Sequence, residues 1–308
     1  MKVYLTNLNE SWIVDRLRKE WYEHNPSIST EKIKESDIVW IIAPWIWKKT
    51  KKQNLRSKYV ICSIYHLEER DFEDAQINDF QKRDQYVDLY HVISPKTKDE
   101  LKKLTNKEII YIPFWSDPNA WFEIKDKKSI RDKYNIPIDS FTVGSFQRDT
   151  EGSDLKSPKL IKGPDRFIDI VKTKNNQIDN LLVLLTGKRR QYLINELEQL
   201  NINYKYFEMV NPKQLNELYN CLNLYIVASR IEGGPQAIIE CGLSKTPIIS
   251  TDVGIASDFL HAESIFDMDS FEEAKPNTEY AYNKSINYGI PQGFREYIEM
   301  LELFYKEK

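Results

Sequence analysis

Two glutamates spaced eight residues apart flank a glycine-rich turn in the second half of the chain. Glu232 precedes the turn, and Glu240 lies within the apolar helical pattern that follows it at 235–244. Pro235 fits the first position of that helix, where a missing N–H costs nothing. The N–H groups of a first helical turn attract anions or hydroxyl oxygens. Glu240 lies about 7–8 Å farther along the helix, counted from Pro235. The two carboxylates are therefore spaced to hold the two ends of one elongated ligand.

A ligand with a sugar hydroxyl at one end, a ribose diol at the other and a diphosphate between them fits this spacing. Glu240 follows two isoleucines, and burying an unpaired carboxylate is costly. A solvated helix face or an internal salt bridge would also explain a single glutamate. The complete pattern, strand–Glu-Gly-Gly-Pro–helix–Glu, favours the ligand.

Apolar runs alternate with amphipathic stretches throughout the chain. The runs that predict strands are Val3–Thr6, Ile38–Ala43, Tyr59–Ile64, Leu89–Ile93, Ile109–Ile112, Phe141–Phe146, Leu181–Leu185, Tyr204–Phe207, Leu224–Ala228 and Pro247–Thr251. The patterns that predict helices are 11–23, 72–84, 96–104, 164–174, 189–200, 212–221, 235–244 and 292–308. Strands that alternate with helices are typical of α/β folds with doubly wound parallel sheets. The pattern occurs twice, so we expect two such domains.

The two halves of the chain differ in composition. All ten glycines lie at or after Gly144, and all seven tryptophans lie at or before Trp121. Because phosphate cradles need close backbone approach, a phosphate-binding loop is expected in the second half. The predicted parts are an amino-terminal domain, a charged linker, a carboxyl-terminal domain and a final helix that can pack back on the first domain, at 1–120, 121–140, 141–285 and 286–308.

Several classes of protein are disfavoured. The net charge of −3 argues against a nucleic-acid-binding protein, and no apolar run is long enough to span a membrane. The turn after the first predicted strand lacks the glycines of a dinucleotide site. The three cysteines and four histidines are scattered, so they predict reduced core thiols of a cytoplasmic protein rather than a zinc site. Asp267 and Asp269 could clamp a metal, but Asp269 is better explained as a helix cap, and we expect no metal.

Four motifs in the second half resemble one enzyme family. The glutamate pair and the glycine turn, followed by Lys245–Gly254, resemble the donor site of retaining GT-B glycosyltransferases, glycosyltransferase family 4. The opening glycine turn at Val143–Phe146, the Lys-Gly motif at Lys162–Asp165 and the strand-to-glycine turn at Leu184–Gly187 also resemble that family, and they occur in the expected order. The resemblance is strong over about 141–260 and weaker over 1–120. It implies a GT-B fold, in which two Rossmann-like domains face a cleft.

The resemblance also implies roles for individual residues. Glu232 would bind hydroxyls of the donor sugar, Glu240 the ribose hydroxyls and Lys162 the diphosphate, whose charge grows as the sugar departs. Backbone groups around the glycine turn would hold the sugar and the diphosphate, and the base would lie near Gly187 and the segment Met209–Asn211. The residues implied by these statements are Gly144, Gly187, Val210, Gly233, Gly234, Pro235 and Gln236.

The chain departs from the family pattern at one position. The family usually has an arginine directly after the first glycine, whereas Ser145 stands here. Arg148 is the first candidate for the second cation, and Arg189 or Arg190 is another. An unusual insert, 149–161, separates Arg148 from Lys162.

The first half contains weaker candidates. His66 follows an apolar strand, and it resembles the family's strand-end histidine, which faces the donor sugar and is counted with Glu232 and Lys162 among the catalytic residues. His91 lies within a strand and is interpreted as structural. Residues just after the first strand could face the acceptor, and these are Trp12, Asp15 and Arg16.

The implied reaction transfers a sugar from a UDP- or GDP-linked donor to a glycan or a lipid-linked acceptor, with retention of anomeric configuration. Lysine and arginine would replace a metal, no cofactor would be needed, and a surface-polysaccharide pathway is the expected setting. Two alternatives use the same fold. They are a non-catalytic module that binds sugar nucleotides and a nucleotide-sugar epimerase.

A basic aromatic segment lies in the first half. Two tryptophans precede six positive charges and no acid in residues 48–58. Such a segment could contact an anionic membrane surface on the cytoplasmic side, or it could bind an acidic glycan or form a solvated loop with two packed tryptophans. Its candidate contact residues are Trp45, Trp47, Lys48, Lys49, Lys51 and Lys52.

Overall fold

A computed structural model of the chain describes residues 1–7 and 13–306, except for the side chains of Glu69 and Arg70. The chain forms two compact units. The first unit comprises Met1–Phe114 together with the carboxyl-terminal segment from Pro291, and the second unit is Trp115–Ile290. The division therefore follows Phe114 rather than residue 120, and the final segment begins at 291 rather than 286. The expected linker, 121–140, lies inside the second unit.

The secondary-structure elements are numbered along the chain. The strands are β1 (Val3–Leu5), β2 (Ile38–Ile41), β3 (Tyr59–Ile64), β4 (Leu89–Val92), β5 (Glu108–Tyr111), β6 (Phe141–Ser145), β7 (Thr150–Glu151), β8 (Ser157–Pro158), β9 (Leu181–Thr186), β10 (Tyr204–Phe207), β11 (Leu224–Val227), β12 (Ile248–Thr251) and β13 (Ile265–Phe266). The helices are α1 (Ile13–His24), α2 (Lys52–Arg56), α3 (Asp74–Asp84), α4 (Pro95–Leu101), α5 (Lys127–Lys133), α6 (Pro164–Asn175), α7 (Gln191–Gln199), α8 (Pro212–Asn220), α9 (Gln236–Ser244), α10 (Ala256–Phe259), α11 (Thr278–Ser285) and α12 (Arg295–Lys306). Each of the ten apolar runs overlaps one strand, whereas no apolar run predicts β7, β8 or β13.

The first unit contains a parallel five-stranded sheet in the order β1-β2-β3-β4-β5. Val3 of β1 pairs with Ile38 of β2 and forms a further parallel bridge with Ser29. Since a strand has only two edges, Ser29 lies on the side of β1 opposite β2. The chain therefore moves first to one side of β1 and then to the other, which is the reversal of a doubly wound sheet.

The carboxyl-terminal helix packs on the sheet of the first unit through aromatic side chains. Tyr297 of α12 stacks on Trp40 of β2 at a ring distance of 5.4 Å, and Phe294 meets Trp21 of α1 edge-on at 5.6 Å. All four side chains are almost fully buried. The expectation that the final helix packs back on the first domain is confirmed.

His91 is a buried member of the same cluster, as its position within a strand predicts. Its Nδ1 lies 2.9 Å from the Ser63 hydroxyl, and its Nε2 lies 2.8 Å from the Ile112 carbonyl oxygen. Burial disfavours the charged ring and lowers the pKa of His91 to about 4 from the ordinary 6.5, although the Ile112 contact acts in the opposite direction.

This shift predicts a pH dependence of stability. Between pH 6.5 and 4 the unfolded chain binds a proton that the folded chain rejects, so the free energy of unfolding falls as the pH is lowered, by up to about 3 kcal/mol from this group. We expect His91→Phe to remove this part of the slope in denaturant titrations at several pH values. A His24→Gln variant, changed at an exposed position of α1, serves as the control. An unchanged slope in His91→Phe would contradict the assignment.

The second unit contains a parallel six-stranded sheet in the order β10-β9-β6-β11-β12-β13. Alternate side chains of its strands enter two separate cores. Leu184, Tyr225 and Val227 pack with α8 and α9 on one face, whereas Val183 and Ile226 pack with α6 and α7 on the other. Helices therefore cover both faces, and the chain reverses direction between β6 and β11.

Arg131 explains why the expected linker belongs to the second unit. Its guanidinium is buried and donates to the carbonyl oxygens of Cys221 and Ser140 at 2.8 and 3.0 Å and to Asn223 Oδ1 at 2.7 Å. Trp121 also lies in the core of this unit, 6.0 Å from the ring of Tyr219. A segment whose composition suggests a charged, solvated linker is therefore hydrogen-bonded to Cys221, 90 positions away.

Two further observations concern the chain as a whole. All three cysteines are buried and unpaired, and burial raises the pKa of the Cys62 thiol to about 11. Across residues 1–7 and 13–306, no helix has the length and apolar character required to cross a membrane.

Candidate functional site

The site is built where the chain reverses direction in the second sheet. In doubly wound sheets, ligands bind beyond the carboxyl ends of the strands at this point. Here it is marked by the end of β6 at Ser145 and the end of β11 at Val227. The residues that follow these strands include Gln147, Ser229 and Glu232, and they come together with Lys162.

Lys162 is positioned by a tight turn before α6. A short 3-10 turn, Leu160–Lys162, ends at Gly163, which has a φ of 62° and is followed by Pro164 at the first position of α6. A Cβ atom on Gly163 would lie 1.8 Å from the Ala228 carbonyl oxygen. Only glycine therefore allows this turn to lie directly against the end of β11.

Glycine at 163 should thus be required for stability. We expect Gly163→Ala to lower the free energy of unfolding by about 2 kcal/mol or more, because the left-handed backbone alone costs about 1–2 kcal/mol and the overlap with Ala228 adds to it. Thermal and denaturant unfolding measure the loss. Gly187→Ala is the matched control, since Gly187 has a φ of 89° but a Cβ there would come no closer than 3.7 Å to its nearest neighbour. Equal losses in the two variants would show that the contact with Ala228 is unimportant.

Lys162 and Glu232 form an ion pair at the centre of the site. Lys162 Nζ lies 2.5 Å from Glu232 Oε1, and the two side chains are 20% and 11% exposed. The Ser229 hydroxyl donates to the same carboxylate oxygen at 3.3 Å. The pair is therefore shielded from most solvent but accessible, which strengthens the electrostatic interactions of both groups.

Gln147 is a site residue that the sequence did not identify. Its Nε2 donates to the Lys162 carbonyl oxygen at 2.9 Å and to the Ser229 hydroxyl at 3.2 Å. The side chain thus joins the turn after β6 to the turns that carry Lys162 and Glu232. Its position two residues beyond the central strand is the only signal in the sequence that could have indicated it.

A second ion pair, also missed from the sequence, fixes the Lys162 turn from outside. Arg230 donates to both carboxylate oxygens of Asp165 at 2.8 and 2.6 Å, and its backbone N–H donates to the Ile161 carbonyl oxygen at 2.9 Å. The hydrogen bonds from Arg230 lower the pKa of Asp165, although burial opposes them. Arg230, two residues before Glu232, therefore holds the segment around Lys162 through Asp165 and Ile161.

The glycine turn after Glu232 packs closely against another loop. Gly254 has a φ of 57°, and a Cβ on it would lie 2.2 Å from the Gly233 carbonyl oxygen. Helix α9 begins at Gln236, with Pro235 as the residue before it. The prediction that Pro235 occupies the first helical position is therefore wrong by one residue, because its ψ of 113° is extended rather than helical.

Glu240 lies in α9 and is only 5% exposed. It accepts a hydrogen bond of 2.9 Å from the Tyr219 hydroxyl. Burial first, and then the Glu240 carboxylate, raises the pKa of Tyr219 well above its ordinary value. Tyr219, which the sequence did not single out, thus stabilises the buried carboxylate that α9 carries.

The three candidate arginines occupy different environments. Arg190 is fully buried, pairs with Asp149 and donates to the Ser145 carbonyl oxygen at 2.7 Å. Arg148 Nε donates to the Thr150 carbonyl oxygen at 2.9 Å, and Arg189 Nη1 donates to the Gly152 carbonyl oxygen at 3.1 Å. The insert, which forms the antiparallel hairpin β7-β8, is therefore anchored by Arg148 and Arg189.

The remaining donor-side residues lie at or near strand ends. Gly144 lies within β6, where a Cβ would come 2.4 Å from Leu222, so its missing side chain makes room for that leucine. The Gly187 carbonyl oxygen accepts a hydrogen bond of 2.9 Å from the Tyr206 hydroxyl. Val210 is half-buried between β10 and α8.

The candidates of the first unit lie near strand ends or on α1. His66 is two residues beyond β3, and its Nε2 lies 3.1 Å from Glu68 Oε1. Asp15 and Arg16 are in the first turn of α1, and Arg16 Nε lies 3.6 Å from Glu20 Oε1. Trp12 lies outside the described residues.

The two tryptophans of the basic aromatic segment differ in exposure, and its charge is partly paired. Trp45 is 49% exposed, but Trp47 is only 4% exposed. Asp79 of α3 forms an ion pair with Lys48, so an acid that is distant in sequence reaches the patch. Trp47 is therefore packed, as the alternative of a solvated loop with packed tryptophans predicts, whereas Trp45 is exposed.

Asp269 does not cap a helix, because turns rather than a helix follow it. Asp267 instead accepts from the Ser270 hydroxyl at 2.9 Å and from the Asp269 N–H at 3.0 Å. Within the part of the chain that the structure describes, no group of three or more histidine, cysteine, aspartate or glutamate residues is arranged to hold a metal ion.

Comparison with known proteins identifies a related domain. Residues 158–272, which contain Lys162, Glu232 and Glu240, match the family described as glycosyl transferases group 1. No curated protein sequence matches the chain.

Solved structures resemble the whole chain. The Anabaena protein HepE in complex with UDP-glucose has a TM-score of 0.74 at 12% identity, and the match covers 97% of this chain and 98% of HepE. Sucrose-phosphate synthase from Thermosynechococcus elongatus has a TM-score of 0.70 at 13% identity, with 98% and 82% covered. A glycosyltransferase from Rickettsia africae has a TM-score of 0.64 at 16% identity, with 98% and 85% covered.

These similarities agree with the fold deduced from the sequence. The structural neighbours are GT-B glycosyltransferases, and the expected α/β fold with two Rossmann-like units is confirmed. The chain thus has the fold of GT-B glycosyltransferases, and the segment that carries its central ion pair is similar to group 1 glycosyltransferases.

Proposed function

We propose that the chain is a glycosyltransferase that moves a sugar from a nucleotide-diphosphate sugar to a hydroxyl group of a glycan or lipid-linked acceptor. The observation that supports this most directly is the Lys162–Glu232 ion pair. It lies where a doubly wound sheet binds its ligand and within the segment similar to group 1 glycosyltransferases. A cation and an acceptor of hydroxyl protons are the two groups that a sugar diphosphate needs.

In this proposal the second unit binds the donor. Lys162 contacts the diphosphate, Glu232 accepts hydrogen bonds from the sugar hydroxyls, and Glu240 does the same for the ribose diol. The base lies near Gly187 and Val210. HepE structures that hold UDP and UDP-glucose support a nucleotide sugar as the ligand, and the donor proposed here is UDP- or GDP-linked.

The proposed reaction retains the anomeric configuration. The acceptor oxygen forms a bond to the anomeric carbon on the face from which the diphosphate leaves, and the bond between that carbon and the diphosphate oxygen breaks. The acceptor proton passes to the departing diphosphate oxygen. Negative charge on the diphosphate grows during this step, so Lys162 stabilises the transition state more than the bound donor, and we propose that no metal is required.

We further propose that the reaction occurs in the cytoplasm and serves the synthesis of a surface polysaccharide. The WaaG structure, described as a glycosyltransferase involved in lipopolysaccharide biosynthesis, supports this setting. His66 in the first unit is proposed to assist the transfer.

A two-stage experiment tests the function. Thermal unfolding with a panel of UDP- and GDP-sugars identifies the donor, and product analysis by NMR with candidate acceptors then establishes transfer and its stereochemistry. Binding without turnover on any acceptor would favour a non-catalytic module, and conversion of the donor to its epimer would favour an epimerase. An inverted product would contradict retention.

A further inference from the structure

A recess in the first unit has features that the proposed reaction does not use. It has a volume of about 310 Å³ and is lined by Trp47, Lys48, Thr50, Lys52, Asp79 and Lys82. We refer to these six residues as the lysine recess. Its walls come from the connection between β2 and β3 and from α3, which pack on one face of the first sheet.

The aromatic wall of the recess is held in place by polar contacts. Trp47 Nε1 donates to Asp79 Oδ2 at 3.3 Å, and Lys48 forms an ion pair with the same carboxylate. Lys48 Nζ lies 5.8 Å from the Trp47 ring centroid, and the ring of Tyr86 lies 6.1 Å from that of Trp47. Arg56 lies 5.6 Å above the Tyr86 ring. The Trp47 ring is therefore fixed, and a cation, Lys48, lies beside it.

The charges of the recess do not cancel. Three lysines, Lys48, Lys52 and Lys82, face one aspartate, which leaves two uncompensated positive charges. Burial of Asp79 favours its neutral form, but hydrogen bonds from Lys48 and Trp47 outweigh this and lower its pKa, so it is ionised at neutral pH. Lys52 and Lys82 have no ion pair with any carboxylate among the described side chains and are exposed.

The size and surroundings of the recess indicate what it binds. Its volume is at the lower end of the range for small-molecule sites, so it exceeds what a single phosphate needs and suits one sugar-sized group. An apolar wall beside free ammonium groups fits a ring that carries an anion. The chain as a whole has a net charge of −3, so the attraction is local to this region.

We propose that the lysine recess binds an anionic sugar unit, in which a phosphate or carboxylate contacts Lys52 and Lys82 and the ring lies against Trp47. The buried position of Trp47 favours a discrete ligand over an anionic membrane, because a membrane-binding surface presents its aromatic residues outward. The proposal goes beyond sugar transfer, since binding in the recess requires no donor.

The test uses the full chain with Lys162→Ala, so that the donor site cannot account for binding. Glucose 6-phosphate, glucuronate, inorganic phosphate and glucose are titrated separately, and the NMR signal of the Trp47 indole N–H is followed. We expect a saturable shift with glucose 6-phosphate or glucuronate, and weaker effects of inorganic phosphate and glucose. The indole signal of Trp121 in the second unit should not move.

Matched variants distinguish the recess from general attraction by charge. Lys52→Gln/Lys82→Gln should weaken binding at least about tenfold, because it removes the two unpaired cations, whereas Lys49→Gln/Lys51→Gln removes the same charge outside the recess and should change it less than about twofold. Asp79→Asn should tighten binding, because it releases Lys48 and removes a repelling carboxylate.

Four results would overturn the proposal. They are an unmoved Trp47 signal with both anionic sugars, equal losses in the two double variants, equal affinity for inorganic phosphate and glucose 6-phosphate, and binding only to phosphatidylglycerol vesicles in a manner that depends on Lys52 and Lys82. The last result would assign the recess to a membrane surface.

Discussion

Replacement of Lys162 by alanine is expected to lower kcat for sugar transfer about a hundredfold or more while the chain remains folded. The lysine ammonium is a positive charge held at the reversal point of the second sheet, and charge on the departing diphosphate is larger in the transition state than in the bound donor. Gln147 holds the backbone of the lysine through its carbonyl oxygen, so the loss should be one of charge rather than of local structure. Steady-state kinetics with the donor found in the binding panel measure the effect.

The control is Lys156→Ala, which removes one charge from the exposed hairpin near Lys162 in sequence. We expect it to retain the activity of the unmodified chain within about twofold, in line with the small effect of a surface charge. Circular dichroism and unfolding curves establish that both variants are folded. Unchanged transfer by Lys162→Ala would refute the proposed site.

The turns that carry the central residues of the site were predictable, because each turn is local in sequence and constrained by backbone chemistry. Gly163 and Pro164 indicate where α6 begins, and Glu232 with Gly233 indicates a tight turn after a strand. These signals depend on glycine and proline conformations. The roles of Lys162 and Glu232 came from the resemblance to glycosyltransferase family 4, and their ion pair was not predicted, because the two residues are far apart in the sequence.

The partners of these residues could not be predicted in the same way. The contact of Gln147 with Ser229 depends on the parallel pairing that places Val143 beside Leu224, and a side-chain contact across strands leaves no pattern within either one. The Tyr219 hydroxyl reaches Glu240 only because α8 packs beside α9. The two residues are 21 positions apart in the Tyr219–Glu240 contact and 82 positions apart in the Gln147–Ser229 contact.

The limits of the two compact units differ from the expected domain limits for a related reason. The segment 121–140 is rich in charge, and such composition usually marks a solvated connection. The guanidinium of Arg131 points inward and donates to the carbonyl oxygens of Ser140 and Cys221, which lie at the ends of neighbouring elements. These hydrogen bonds compensate the burial of the cation without a carboxylate. Asp79 is also distant in sequence from its partner, and its ion pair with Lys48 makes the basic segment less positive than its sequence suggests.

Replacement of Glu232 by glutamine is expected to abolish most sugar transfer and yet to tighten the binding of a nucleoside diphosphate. A diphosphate competes with the Glu232 carboxylate for Lys162 Nζ, because the two side chains lie 2.5 Å apart and are mostly shielded from solvent. Glutamine keeps the size of the side chain but removes the negative charge, so Lys162 becomes fully available and repulsion of the diphosphate disappears. We estimate the gain at about tenfold in Kd, or ~1.4 kcal/mol.

Isothermal titration with UDP and GDP measures this gain, and Glu279→Gln is the control, because the exposed Glu279 pairs with Lys245 instead. For the complete sugar donor the gain should be smaller or reversed, since glutamine is a weaker acceptor for the sugar hydroxyls than a carboxylate. In the Lys162→Ala background the effect of Glu232→Gln on diphosphate binding should shrink, because the competition is then absent. If Glu232→Gln instead weakens diphosphate binding as much as Lys162→Ala does, the carboxylate supports the nucleotide directly. The proposed competition between the diphosphate and Glu232 for Lys162 would then be wrong.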